Sequence, residues 1–293
     1  MKIWICIPVF NRIEFTLKCL ASLEAQTFQN FTVVICDHGS TDGTSEGIFQ
    51  QFPDVVVIKA DSSLWWTGAI NRSIAYALEH AATYDVVLTL NNDNEVPPDY
   101  LENFRANHTK YANSILSSVI YNIKTGELND PGFRQNWFYA TAYPVDFVSD
   151  HLVDDSNLVE ITHASGRGTL FPIKVFRQLG LFDEKNLPHY GADYSFAFKA
   201  ARANYRIYSC LNCKVYSYIE ETGLVKVLNK FSLGSFVDYF ASTRSPGNLK
   251  TRWWFGWLNC PKHFLLSYFI IDYTRVFVGY FKNLFKKNSL NEV

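Results

Sequence analysis

The chain is short of the residues that most nucleotide-binding loops require. Its 293 residues hold 15 glycines, and none lies in the loop after the first strand-like run, Pro8-Val9-Phe10-Asn11-Arg12. Neither G-x-G-x-x-G nor G-x-x-x-x-G-K-[ST] occurs. Dinucleotide oxidoreductases and P-loop phosphotransferases therefore lose the backbone cradle their chemistry rests on. A surplus of charge is also missing: the formal net charge is −1. No global field draws in nucleic acid, and none is expected as a partner. The six cysteines include one close pair, Cys210-x-x-Cys213, and no second pair completes a zinc or redox site. Cys6 and Cys36 lie in apolar runs and read as small core residues. The opening MKIWICIPVF has one Lys, a short apolar run and no cleavage site. It lacks the form of a signal peptide, so a reducing cytoplasm is expected. No internal repeat or low-complexity linker breaks the chain.

What is abundant is aromatic and apolar. Hydrophobic residues make up 48% of the chain, with 24 Phe, 17 Tyr and 7 Trp. That suffices for a sizeable core in one α/β domain, or in one domain with a tail. The first hundred residues alternate two periods. Ile3 to Phe10, Phe31 to Cys36, Val55 to Ile58 and Val86 to Leu90 are short apolar runs, as in strands buried on both faces. Between them lie helical patterns. Asn11 with Glu14 resembles a capping box before Ile13, Leu17 and Leu20; Ile48 and Phe52 close a second helix; Gly68 to Ala81 forms a third. This order implies an α/β fold with a mainly parallel, Rossmann-like sheet flanked by helices. Ligands of such sheets bind beyond the carboxyl ends of the strands. The polar residues gather there: Asn11 and Arg12, then Asp37 to Asp42, then Asn91 to Asn94. Residues 105–160 are less regular and are expected to form strands and loops of an acceptor-side wall. Order returns at Ser165 to Ala203, with a glycine-bounded strand, a short helix near Val175 and another helix after Asp193.

Five segments, IPVFNR, VVICDHGSTDGT, LWWTGAINRSIAYAL, LTLNNDNEVPPDYL and the run from Gly166 to Ile207, occur in order and at ordinary spacing. Together they resemble the family 2 glycosyltransferases of the GT-A fold, over about residues 3–208. The resemblance implies an inverting transfer of sugar from a nucleotide diphosphate donor to an acceptor hydroxyl. It is similar to what bacterial polysaccharide and O-antigen enzymes do. It divides the chain into a catalytic domain, 1–222, and a helical extension, 223–293. The domain itself has a nucleotide-binding half, 1–104, and an acceptor half, 105–222.

Within that resemblance, Asn91-Asn92-Asp93 stands where the family carries its D-x-D signature. A nucleotide diphosphate leaves well only when its charge is neutralised. Asp93 is the expected ligand of Mg²⁺ or Mn²⁺, which would also take oxygens from the phosphates. Asn91 replaces the first acid of the signature; it and Asn92 are expected at the nucleotide. Asp37 resembles the acid that accepts from the base imide, which implies a UDP- or dTDP-sugar. His38 follows it where the family has Asn. Pro8, Phe10 and Arg12 would flank base and ribose. Asp42 reads as a helix cap. Gly68 would let backbone approach the diphosphate at a helix N-terminus, with Asn71 on phosphate or ribose. Trp65 and Trp66 would face a sugar or fill the core.

Asp193 matches the last acid of the family's E-D pair, with Ala192 in the Glu position. It is the expected catalytic base. Its competing reading is an N-cap with a depressed pKa. Gly166, Arg167 and Gly168 resemble the acceptor-side loop: the glycines would admit the donor sugar, and Arg167 would pair with phosphate or a surface acid. His189 and Tyr190 fall in the same pocket; His189 would touch donor or acceptor, or serve structure alone. A later His that some relatives use as a metal ligand has no counterpart between His189 and His263. The single-acid signature and the missing Glu leave a catalytically silent sugar-nucleotide-binding or scaffold protein as the alternative. The intact Asp93 and Asp193 oppose it. A nucleotidyltransferase would need a glycine-rich, basic N-terminal loop that is absent.

The tail is aromatic and basic. His263 to Phe281 is long enough to span a bilayer, yet Asp272 and Arg275 sit near its middle, where each is costly. Lys250, Arg252, Lys262, Lys282, Lys286 and Lys287, with Trp253, Trp254 and Trp257, border it. Such borders suit a helix lying in a membrane interface through 250–287. A helix packed on the catalytic domain, or a homodimer contact, is the equal alternative. A membrane contact would fit a lipid-linked glycan acceptor at the cytoplasmic face of an inner membrane.

Overall fold

The computed structural model describes residues 1–153, 157–219 and 233–290, without the side chains of 233 and 283–290. The expected boundary at 222/223 lies outside the described residues. The amino-terminal half alternates as its periodicity requires: β1 (Ile3–Val9), α1 (Ile13–Glu24), β2 (Phe31–Asp37), α2 (Thr44–Gln51), β3 (Val56–Lys59), α3 (Trp65–His80) and β4 (Val86–Thr89). β1 pairs in parallel with β2 and β4, and β2 with β3. Every residue of β1 is buried. Ile3, Ile5, Ile7 and Val9 pack with Leu20, Leu23 and Ile48 on one face. Trp4 and Cys6 pack with Ile70 and Ile74 on the other. A strand covered by helices on both sides can afford no alternation, which is why it reads as one apolar run.

The second half follows with β5 (Asn94–Glu95), α4 (Tyr100–Lys110), β6 (Ile115–Asn122), β7 (Leu128–Asp130), β8 (Phe133–Asn136), β9 (Thr141–Pro144), β10 (Leu158–Glu160), β11 (Thr169–Pro172), α5 (Ile173–Leu179), α6 (Ala192–Arg202) and β12 (Ile207–Ser217). One sheet runs β10-β12-β6-β11-β4-β1-β2-β3, with β5 beside β12 and β7 beside β6. β11 lies antiparallel between β4 and β6, so the sheet is mixed though mostly parallel. The stretch expected to hold strands and loops of an acceptor-side wall also supplies a central strand of the main sheet, β6. Its signal is masked by Ser117 and Ser118, which are buried but satisfied: Ser118 meets the Tyr100 hydroxyl at 2.8 Å, and Ser117 accepts from Thr169 Oγ1 at 3.3 Å. β8 and β9 form a separate hairpin. All six cysteines are free and buried.

The extension holds α7 (Leu233–Ala241), α8 (Leu249–Asn259) and α9 (Leu265–Leu290). Trp254, Phe255 and Leu258 of α8 pack against the catalytic core, so the extension is docked on the domain. Asp272 of α9, 4% exposed, receives a hydrogen bond from Arg252 Nη1 of α8 at 2.7 Å. Asp272→Ala should cost about 2 kcal/mol, less than a fully buried pair because Arg252 keeps part of its water. Urea unfolding followed by tryptophan fluorescence reads this, and an unmoved midpoint would show the pair holds nothing.

Candidate active site

The loops after β1 and β2 are laced together at the carboxyl edge of the sheet. Asn11 and Arg12 adopt positive φ, 58° and 66°, turning the chain sharply into α1. The Asn11 N–H donates to Ser40 Oγ at 2.7 Å, and Asn11 Oδ1 accepts from the Thr41 N–H at 2.9 Å. The expected Asn11–Glu14 capping box does not form: Arg12 stands at the helix boundary without a side-chain cap. Asp42 takes that work instead, accepting from the Ile13 N–H at 3.0 Å and the Thr44 N–H at 3.2 Å. Asp37 is buried; one oxygen accepts from the Ser40 N–H at 2.9 Å and the other from the Ser45 hydroxyl. A carboxylate has about four acceptor positions, so each oxygen keeps room for one more donor. Pro8 is buried in β1 beside Cys36. Phe10, 38% exposed, stacks on His38 with ring centroids 5.2 Å apart. Loss of water is the largest effect on the His38 pKa and lowers it; the nearby Asp37 and Asp61 pull the other way.

At the end of β4 the three motif residues diverge. Asp93 is buried and pairs with Arg12 Nη1 at 3.2 Å. Its carbonyl accepts from the Tyr218 N–H, tying the turn to the end of β12. Asn92, expected at the nucleotide, is buried and donates from its carboxamide to Thr16 Oγ1 at 2.9 Å, pinning α1. The Asn91 Oδ1 accepts from the Trp66 indole N–H at 3.0 Å, so that oxygen orients Trp66. Among the described residues no group of three His, Cys, Asp or Glu side chains could hold a metal ion. The donor set fits a divalent ion in one mode only, one carboxylate from Asp93 with the remaining oxygens from donor phosphates and water, as Mg²⁺ commonly takes them.

α3 begins three residues earlier than its pattern implies, behind a 3₁₀ turn at Ser62–Leu64. The cause is Trp65, whose φ of 51° folds the chain directly into the helix. Positive φ at a bulky residue costs about 1–3 kcal/mol and persists only where neighbours enforce it. Protein contacts occupy several groups at the start of this helix. The Thr67 N–H donates to the Pro188 carbonyl at 3.0 Å, so that first-turn donor is taken by protein. A Cβ on Gly68 would lie 3.0 Å from Leu64 Cβ: this glycine serves packing of the turn. Asn71 donates to the Phe182 carbonyl and to Glu184 Oε2, both at 2.9 Å, and accepts from the Phe182 N–H. It moors the 182–184 loop to α3, and both N–H donors of its carboxamide are taken by protein, leaving none for a phosphate.

Across the cleft, Asp193 lies in the first turn of α6, whose N-cap is Gly191. The N-cap reading of Asp193 is therefore corrected. Its carboxylate accepts from the Gly166 N–H at 2.7 Å and the Tyr194 N–H at 2.9 Å. Burial raises its pKa, the reverse of the expected depression; those N–H groups and the Arg167 charge oppose the rise without cancelling it. Arg167 lies 3.8 Å from the buried Asp130, so its acid is an internal one rather than a surface one. Gly168, at φ 108°, is required by packing: a Cβ there would meet Ser118 Oγ at 2.6 Å and Tyr100 OH at 2.8 Å. The room expected there for a donor sugar is filled by protein. Gly166 admits Trp66, whose ring would lie 2.4 Å from a Cβ. Trp66 thus touches Asn91 on one side and the Gly166 loop that holds Asp193 on the other. His189 packs on Trp65 and Tyr190 with centroids 5.7 and 4.4 Å away. Burial chiefly, then the charges of His38 and Arg244, take its pKa down to about 4, so it is neutral at pH 7.

A sequence model of glycosyl transferase family 2 matches residues 4–180. The chain belongs to glycosyl transferase family 2.

Over 188 residues it is 23% identical to glycosyltransferase GlyA of Streptococcus pneumoniae serotype 4, covering 61% of this chain and 25% of that protein. Over 64 residues it is 39% identical to N-acetylglucosaminyl-diphospho-decaprenol L-rhamnosyltransferase of Mycobacterium tuberculosis, covering 22% of this chain and 21% of that protein. The chain thus spans about a quarter or less of these relatives' lengths. Among solved structures, GalNAc-T7 with UDP, GalNAc and Mn²⁺ superposes with a TM-score of 0.60 at 14% identity, over 74% of this chain and 44% of that one. Residues 1–349 of S. aureus TarS give 0.55 at 16% identity, over 97% and 92%. These likenesses establish the GT-A fold.

One residue at this family 2 site escaped the sequence. Arg244, between α7 and α8, places its guanidinium 5.7 Å from the centre of the Trp65 ring, and its carbonyl accepts from the Tyr190 hydroxyl at 3.4 Å. It lies well beyond Ile207, where the last motif ends, so spacing gives no signal. Gly166→Ala should destabilise by about 1–3 kcal/mol, the range for overpacking, because Trp66 would have to leave Asn91. Thermal melting reads this; a melting point equal to wild type would show that Trp66 moves freely.

Proposed function

We propose that the protein is an inverting glycosyltransferase carrying a sugar from a UDP- or dTDP-sugar to a hydroxyl of a glycan or lipid-linked glycan, in cell-surface polysaccharide synthesis. The observation that supports this most is the Trp66 bridge. One indole joins the Asn91–Asp93 turn to the loop that holds Asp193, so a donor end and a base face the same wall. Asp93 would hold Mg²⁺ or Mn²⁺, which when bound neutralises the diphosphate. Asp37, with Phe10 above His38, would receive the base. Asp193 accepts the proton of the acceptor hydroxyl as that oxygen bonds to the anomeric carbon from the side opposite the diphosphate. Single displacement from that side inverts the centre. The raised pKa suits the role, since a stronger base takes the proton more readily. Six free, buried cysteines suit the reducing cytoplasm proposed for the chain.

Arg244 belongs to the donor side in this reading. Arg244→Ala should raise the donor KM about five- to twentyfold with kcat changed less, as expected for one charge-assisted contact. The test of the function is release of nucleotide diphosphate from a panel of UDP- and dTDP-sugars with Mn²⁺ and glycan acceptors. If wild type and Asp193→Ala release it equally slowly with every pair, the chain is a binding protein of the same fold.

A further inference from the structure

The two charges that make α9 a poor membrane span are both held by protein partners, Asp272 buried and Arg275 at the surface. Asp272 is buried against Arg252 of α8. Arg275 donates to the carbonyls of Tyr139, at 2.8 Å, and of Ala140, at the tip of the β8–β9 hairpin. The opposite face of α9 carries Leu266, Ile270, Phe277 and Phe281, spaced by four, seven and four residues, which is one helical stripe. Leu266 is 75% exposed and Ile270 59%. The stripe continues onto α8, where the exposed Trp253 and Trp257 stack on each other with ring planes 10° apart, and Trp253 stacks on Phe269 of α9. Lys262 Nζ sits 4.2 Å from the Trp257 ring, Lys250 in the first turn of α8 is exposed, and Lys282, exposed too, follows Phe281.

We propose that this face docks flat on an anionic lipid bilayer, with α9 in the plane of the interface. The charge pattern selects the occupant. Lysines at the rim of an apolar stripe and indoles carrying an ammonium match a layer of anionic headgroups above acyl chains. A second copy packed face to face would bring like-charged rims together. Residues Lys262–Lys282 are apolar and long enough to cross a membrane. Crossing, however, would strip Asp272 from Arg252 and Arg275 from two carbonyls. It would also pull Val276 and Tyr280 off Phe240 of α7. In-plane docking keeps all of these. The hairpin that Arg275 grips also reaches the base helix, since Trp137 packs 4.9 Å from Phe198 of α6. The docked face therefore sets the acceptor side of the cleft beside the membrane. The inference deepens the reading above by naming a lipid surface as partner, and its test does not depend on turnover.

Full-length protein is floated with vesicles of about 30% phosphatidylglycerol in phosphatidylcholine, and with pure phosphatidylcholine, at low and high salt. Wild type should float with the anionic vesicles at low salt, and on the order of tenfold less with neutral ones or at high salt. Leu266→Glu with Ile270→Glu should lower anionic flotation by about tenfold or more while circular dichroism stays unchanged. Alkaline carbonate should release the wild type. Failure to float, equal flotation of the double variant, or retention after carbonate would each overturn the proposal. So would a dimer in sedimentation that Ile270→Glu dissolves while no lipid is bound. Loss of transfer with flotation intact would instead overturn only the proposed function.

Discussion

Asp193→Asn should lower kcat by about 10²–10⁴-fold, the range attributed to a positioned general base. The amide keeps the size of the carboxylate and can still accept from the Gly166 N–H, so the fold and the Trp66 contact should persist. Donor KM should change little, because the base contributes where the acceptor proton moves. The pH profile gives a sharper reading. The base works ionised, and burial raises its pKa. The acidic limb of kcat/KM should therefore lie above the ordinary carboxylate value, with rate rising as pH rises through it. Arg167 opposes that rise through its positive charge. Arg167→Gln should move the limb further up, and Asp193→Asn should abolish it. A variant that retained the wild-type limb would identify another residue as the base.

The parallel half of the fold was legible because burial on both faces writes an uninterrupted apolar run. Each run in β1 to β4 lies within one or two residues of its strand. β6 and β12 were not, since Ser117, Ser118 and Ser209 are hydrogen-bonded inside the molecule and break the pattern without breaking the strand. The site followed the same division. Asp93 and Asp193 could be placed by order along the chain. The work of the residues around them could not, because a side chain's occupation is set by its tertiary partner. Asn71, Asn92, Gly68 and Gly168 sit among ligand-like motifs, yet they hold a loop, hold a helix, fit a turn and fit a sheet. No local signal separates a glycine that admits a sugar from one that admits Trp66. The tail shows the converse. Composition raised Asp272 and Arg275 as objections to a membrane span, and only the packing of α9 shows that both hold protein partners.

Asp93→Ala should lower kcat/KM by about 10²–10³-fold, since a developing diphosphate charge loses several kcal/mol of stabilisation. Stability should fall by only about 1 kcal/mol, because the Arg12 side chain is about a third exposed and regains water when its partner goes. Function and stability thus separate at this position, whereas Gly166→Ala joins them. In the wild type a chelator should abolish transfer and Mn²⁺ or Mg²⁺ restore it, while Asp93→Ala should need on the order of tenfold more metal for half-maximal rate. Arg12 refines the argument. Its guanidinium already rests on the Asp93 carboxylate, so a metal ion and Arg12 compete for one acid. Arg12→Met should then lower the metal concentration required, even as kcat/KM falls from loss of a cation near the diphosphate. The double variant would show the two effects to be non-additive, the mark of a shared carboxylate. Full activity in chelator, with Asp93→Ala within about threefold of wild type, would leave the arginines as the only neutralising charges and remove the metal from the reaction.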